Sequence, residues 1–143
     1  MDSIDYQILR KLQENGRISI KKLAEEINLT PPAVSERVKK LEETGAIKGY
    51  RAVIDPEKLG FNIQALINIT LKTGKRIEFY NFARENKCIV ECHHVTGGFS
   101  VTVKAVLKEM SELETLVGKI QQFGTTQTLI ILSTPIENKG IYF

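Results

Sequence analysis

Residues 19–45 read SIKKLAEEINLTPPAVSERVKKLEETG, and the rest of the chain is organised around this stretch. It has the form of two short helices joined by a tight turn. Ser19 can cap the first helix, in which Leu23, Ala24 and Ile27 recur at helical spacing on one face. Asn28-Leu29-Thr30 is the turn. Thr30 suits the cap of the second helix, and Pro31 suits its first position, where a missing N–H costs nothing. Val34, Val38 and Leu41 make the buried stripe, and Gly45 can take the left-handed stop. With that stripe turned inward, Pro32, Ser35, Glu36, Lys39, Lys40 and Glu43 lie outward or on the flanks. A helix of this kind fits a major groove, its N-terminal half nearest the base edges and its lysines within reach of phosphates. The same spacing also suits an αα-hairpin in a bundle with a solvated, charged outer face.

Working outward, Asp2 or Ser3 begins a helix that runs to about Asn15, with Ile4, Ile8, Leu9 and Leu12 on its apolar face and Gly16 as its stop. The three helices make one unit whose core also takes in Ile18, Ile20, Leu29 and Ile47. That core is small, so the unit is expected to lean on a neighbour or a second copy. Beyond Gly45, Tyr50 to Ile54 is β-prone and Asp55-Pro56 stops it. This is one arm of a wing or a linker strand. Its Lys48 and Arg51 either touch phosphate or are simply solvated. The candidate DNA-contacting set is Thr30, Pro32, Ser35, Glu36, Arg37, Lys39, Lys40, Lys48 and Arg51.

From Phe61 the period changes from helical to twofold. FNIQALINITLK alternates Phe61, Ile63, Ala65, Ile67, Ile69 and Leu71 against mostly polar partners, as in a half-buried antiparallel strand. A helix over 75–86, a strand over 88–95, a turn at Gly97-Gly98, a strand over 100–107, an amphipathic helix from Met110 to Gly124 and a strand over 125–134 complete the order βαββαβ. That order is ferredoxin-like. The expected fold class is therefore α+β, with a winged helix-turn-helix over 1–54, a linker over 55–60 and a ferredoxin-like domain over 61–143.

Composition narrows the function classes. At 42% hydrophobic and 26% charged residues, the 143-residue chain is an ordinary globular one. No apolar run approaches membrane-spanning length and no signal-peptide pattern opens the chain, so the expected location is cytoplasmic, with no membrane partner. Two cysteines are too few for a disulfide framework. Net charge is only +3, with ten basic against eight acidic residues in 1–54 and ten against nine beyond. DNA binding must then rest on where charges sit, and on dimerisation doubling the basic surface.

These parts together resemble one family, the leucine-responsive and asparagine-type (Lrp/AsnC) regulators. The matching stretches are LAEEINLTPPAVSERVKKLEETGAIKGYRAVIDPEKLG (23–60), VECHHVTGG (90–98) and TQTLIILS (126–133). In length the chain is similar to the short, LrpC-like branch. The resemblance implies a DNA-binding transcriptional regulator with a winged helix-turn-helix and a ferredoxin-like sensor domain. It also implies double-stranded DNA as partner, sheet-to-sheet dimers, assembly into octamers, and a small-molecule effector, commonly an amino acid, at the contact between dimers. It places such a ligand at Thr96, Gly97, Gly98 and Ser100, with Thr126 and Thr128 beside them. One departure matters. Members that bind amino acids commonly carry an aspartate three positions after the glycine, where it can pair with the ligand's ammonium. Here Gly97 is followed at that distance by Ser100. A hydroxyl can accept a hydrogen bond from an ammonium but cannot neutralise it, so amino-acid binding is expected to be weak or absent.

No catalytic pairing of nucleophile, base and orienting acid is recognisable, and no cofactor motif; the chain is not expected to be an enzyme. Gly97-Gly98 joins two strands with no helix after it, so it is not a phosphate loop, and it is either a plain hairpin turn or one that also lines a ligand pocket. Cys88, Cys92, His93 and His94 lie close in sequence, but in a strand Cys92 and His94 face one way and His93 the other, so packed thiols and surface imidazoles are preferred to a metal site. Three functions stay open on residues alone: a sequence-preferring regulator, an architectural protein that bends or wraps DNA with little effector control, and a metabolite-binding or enzymatic ferredoxin-like module with a helical appendage.

Overall fold

The computed structural model describes residues 1–143. The elements are α1 (Ser3–Glu14), α2 (Ile20–Glu26), α3 (Pro31–Glu43), a single 3-10 turn (Glu57–Leu59), β1 (Ile63–Leu71), α4 (Arg76–Glu85), β2 (Ile89–His94), β3 (Val101–Leu107), α5 (Met110–Ile120) and β4 (Gly124–Ile130). Two compact units result. The first comprises Met1–Val53 together with Ile136–Phe143, and the second Ile54–Pro135.

In the first unit, Ile8, Leu23, Ala24, Val34, Val38 and Leu41 are buried, with Ile4, Leu9, Leu12, Ile18, Ile20, Ile27, Leu29 and Ile47 packed around them. The apolar positions at helical spacing are the ones that close this core. The turn between α2 and α3 depends on Asn28, whose φ of 56° is a left-handed conformation that asparagine tolerates better than most residues. The helix-to-helix corner is closed by Leu29 N–H donating to Ala24 O at 3.0 Å.

The second unit is a four-stranded antiparallel sheet in the order β2-β3-β1-β4, with α4 and α5 between its strands in sequence. This is the ferredoxin-like arrangement. The twofold pattern of β1 decides which face is covered. Ala65, Ile67 and Ile69 pair with Ala105, Val103 and Val101 of β3, and all six are fully buried. Phe79, Phe82 and Phe123 complete that core with ring centroids 5.2–6.1 Å apart. The opposite face is open. It carries Leu66 beside Leu129, with Asn68 fixed at its centre: Thr102 Oγ1 donates to Asn68 Oδ1 at 2.8 Å, and Asn68 Nδ2 donates to Gln127 Oε1 at 3.3 Å.

Two expectations need correction. Residues 50–54 form no strand, because the chain itself offers the segment no partner to pair with, and a lone extended segment gains no ladder bonds. The last residues of the expected second domain, Ile136–Phe143, cluster with the first unit, where Ile141 and Phe143 contact α1. Side-chain amide and aromatic contacts made at that sequence distance leave no periodic signal. A smaller difference is a bulge in β2 between Ile89 and Glu91, which leaves Val90 exposed at the sheet edge.

Gly124 is the tightest point of the second unit. A Cβ there would lie 2.1 Å from Thr70 O, a backbone atom that cannot swing away. Gly124→Ala therefore forces β1 and β4 apart where Leu71 faces Gly124, and costs about 1–3 kcal/mol or more, as overpacking does. Urea unfolding with an unchanged midpoint would contradict this reading of the sheet.

Candidate nucleic-acid interface

α3 is presented by its burial pattern. Val34, Val38 and Leu41 are at most 8% exposed, whereas Pro32, Ser35, Glu36, Lys39 and Lys40 all lie in solvent. Thr30 occupies the N-cap, but its hydroxyl makes no capping bond; the cap is its carbonyl, which accepts from Val34 N–H at 3.1 Å. Pro31 and Pro32 have no N–H, so the start of α3 offers fewer backbone donors to an anion than an ordinary helix does. The side chains of Thr30 and Ser35 and the ammonium groups of Lys39 and Lys40 are left as polar contacts of this surface. Lys39 meets Glu43 at 3.7 Å with both side chains mostly exposed, a pairing too weak to hold it.

Arg37, expected among the DNA contacts, is engaged within the helical unit. Its Nη1 lies 2.8 Å from Asp2 Oδ2 and 2.7 Å from Asp5 Oδ1. The two aspartates are themselves a capping box on α1: Asp2 Oδ1 accepts from the N–H groups of Ile4 and Asp5 at 3.0 Å, and Asp5 Oδ2 accepts from Asp2 N–H at 2.9 Å. One guanidinium thus ties α3 to the start of α1. Asp2 followed three positions later by Asp5 was a visible helix-start signal, but nothing in the sequence joins it to Arg37. The backbone N–H groups and the guanidinium hold both carboxyls below the usual aspartate range.

Lys48 and Arg51 are exposed on either side of Tyr50. Tyr50, expected in a wing arm, folds back instead. Its hydroxyl donates to Glu42 Oε1 at 3.0 Å, and its ring passes over Gly16, where a Cβ would stand 3.7 Å from Cδ1. Desolvation and the Glu42 carboxylate push its phenol up. The segment after α3 is thereby anchored as a strap, with its two cations free.

The second candidate site lies at one end of the sheet. Thr96, Gly97 and Gly98 form an exposed turn between β2 and β3, with Gly97 at φ 108°. Ser100 sits at the base of that turn and is occupied: its Oγ accepts from Leu71 N–H at 3.2 Å while its own N–H donates to Ile69 O at 2.9 Å. Thr126 pairs with Ile69 from the other side of β1, so β1 stands between it and Ser100 and the two are not brought together. Thr128 is opposite Ile67, further along, in a groove with Leu113, Val117 and Gln121 of α5 and its C-terminal end. Cys92 and His94 face Val103 and Val101 on the helix-covered side, and His93 faces Thr102 on the open side, bonded to Glu91 at 3.0 Å. Desolvation raises the Cys92 thiol, the opposite of what an activated nucleophile needs.

A helix-turn-helix unit with an uncovered, lysine-bearing second helix, joined to a ferredoxin-like unit, defines a class: DNA-binding transcriptional regulators with an appended sensor fold. Comparison with known proteins narrows the class. Residues 1–42 match the AsnC-type helix-turn-helix domain and residues 64–141 the Lrp/AsnC ligand binding domain. The chain is 36% identical over 135 residues to the HTH-type transcriptional regulator FL11 of Pyrococcus furiosus, covering 92% of this chain and 89% of that one. It superposes on the solved structure of LrpC from Bacillus subtilis with a TM-score of 0.91 at 29% identity, over 97% of this chain and 99% of the other. A transcriptional regulator from Neisseria meningitidis, solved as a complex with L-Met, superposes with a TM-score of 0.90 at 27% identity, over 96% and 93%. The protein belongs to the Lrp/AsnC family of transcriptional regulators and is a DNA-binding regulator of that type.

The Arg37 clamp has a pH signature. Carboxyls held below their usual value stabilise the fold above that value, and the contribution is lost as pH falls through the lowered one. Asp5→Asn should lower the thermal midpoint at neutral pH, and the difference from the parent protein should shrink below about pH 4. A constant difference across that range, measured by circular dichroism, would remove the charge from this account.

Proposed function

We propose that the protein reads double-stranded DNA with the outward row of α3, as a dimer or higher oligomer, and that amino acids control it weakly or not at all. The observation that carries the reading is the row itself: Pro32, Ser35, Glu36, Lys39 and Lys40 stay uncovered when the unit has buried everything it can. Thr30, Lys48 and Arg51 extend the row to backbone phosphates, and Arg37 serves it from behind by positioning α3. Residues 1–54 are the DNA-reading part, 55–60 a linker, and the ferredoxin-like part beyond carries assembly and sensing.

Dimerisation is supported by what the open sheet face offers. Leu66 and Leu129 sit side by side around the fixed Asn68, and Leu129 is 45% exposed. Val53 and Ile54 are also exposed. Two copies joined sheet to sheet double a modest positive charge and place two recognition helices on one body. An octamer follows from the same family logic. The mode of action is binding rather than catalysis, and the place of action is the cytoplasm; no helix is long and apolar enough to cross a membrane.

The effector reading rests on Ser100. An amino acid brings an ammonium and a carboxylate, and burying either without a partner costs several kcal/mol. The NH groups of the glycine turn suit the carboxylate. The ammonium is offered a neutral hydroxyl already accepting from Leu71 N–H.

Lys39→Ala should weaken DNA binding about equally across sequences and reduce the salt slope by about 1. Val38→Ala should instead destabilise the helical unit by about 0.5–1.5 kcal/mol. An unchanged salt dependence in Lys39→Ala rejects that lysine as a phosphate contact. For the effector, calorimetry with each common amino acid should show weak or no binding, and light scattering should show an oligomer whose size they leave unaltered. Ser100→Asp should gain affinity. Tight binding by the unmodified protein, with a shift in DNA affinity or oligomer size, would overturn the reading.

A further inference from the structure

The segment Lys139–Phe143 is held on α1 by a set of contacts that the helix-turn-helix does not need for its own core. Gln13 reads the backbone of Ile141 in both directions: its Nε2 donates to Ile141 O at 3.1 Å, and Ile141 N–H donates to its Oε1 at 2.8 Å. One turn earlier, Arg10 donates to the main-chain oxygen of Phe143, and its guanidinium carbon lies 5.7 Å from the centre of the Phe143 ring. A further turn back, Tyr6 meets that ring at 5.6 Å. Tyr6, Arg10 and Gln13 are spaced four and three apart, so they form one stripe of α1. Gly140 permits the close approach, since a Cβ there would stand 3.2 Å from Gln13 Oε1. The N-terminal end of α1 carries Asp2 and Asp5, which grip Arg37 of α3.

We propose that Lys139–Phe143 is a positioning element of the DNA-binding unit: docked on the Tyr6–Arg10–Gln13 stripe it braces α1, and through Asp2, Asp5 and Arg37 it holds α3 in its DNA-reading pose. The family match for the ligand-binding domain runs to residue 141 and so counts most of this segment with the other domain. Its contacts say otherwise. Gln13, Arg10 and Phe143 then act on DNA affinity without touching DNA. This inference rests on the DNA-binding reading of α3.

The test uses the full chain with Cys88 and Cys92 changed to serine. The Cβ position of Gly140 is 3.6 Å from Gln13 Cβ, within the range a disulfide spans. In the Gln13→Cys/Gly140→Cys chain, mild oxidation should close a bond within one chain, seen as a single-chain band on a non-reducing denaturing gel. Bonds only between chains, or none, would overturn the docking without reference to DNA. Affinity is then measured by anisotropy on a duplex that the unmodified protein is first shown to bind. The reduced form, lacking the Gln13 amide, should bind roughly fivefold more weakly than the oxidised form, the low end of the scale for the two hydrogen bonds that the amide makes. Phe143→Ala should show a like loss and Phe143→Tyr should not, with oligomer size unchanged in all. Equal affinity of oxidised and reduced forms, or a loss that follows oligomer size, would overturn the positioning role. Failure of the unmodified protein to bind any duplex would instead strike the reading of α3.

Discussion

Burial of Val34, Val38 and Leu41 sets the rotation of α3 about its own axis, and the proposed reading of DNA depends on that rotation. The helical repeat leaves no freedom once three positions are inward: Ser35, Glu36, Lys39 and Lys40 must face out. The core that enforces this is small, with six buried side chains, so each helix needs further restraint. The restraints are polar and peripheral. Arg37 joins α3 to α1, Tyr50 joins the following strap to Glu42, and Gln13 and Arg10 hold the segment around Ile141 and Phe143. A basic residue on α3 can thus be taken up by carboxylates within the unit. Arg37 lies between buried Val34 and Val38 on the rim of the stripe, where a long side chain can reach back to carboxylates on a neighbouring helix.

The ferredoxin-like unit solves the opposite problem. Its core is large and dry, with Ala65, Ile67, Ile69, Val101, Val103, Ala105 and Leu107 all fully buried under two helices. What it leaves open is the other sheet face, where a hydrogen-bonded row of Thr102, Asn68 and Gln127 is set among leucines. Such a face combines exposed apolar surface with a fixed polar row. At the end of the same sheet, Ser100 spends its hydroxyl on the last backbone donor of β1. Ser100 thus has a structural task of its own.

The sequence by itself determined the elements and their faces. Periodicity of 3.6 located α1, α2 and α3 and their buried positions; periodicity of 2 located β1; Asn28, Pro31 and the Gly97-Gly98 turn marked the corners. These are local patterns, and local patterns survive in a one-dimensional string. Tertiary structure alone decided which long side chains turned inward. Arg37 meets Asp2 and Asp5, Gln13 meets Ile141, Ser100 meets Leu71, and Gly124 is pressed against Thr70. Each of these joins residues from separate segments of the chain through one or two directional contacts. Directional contacts have no period, so they become visible only when the chain has been folded.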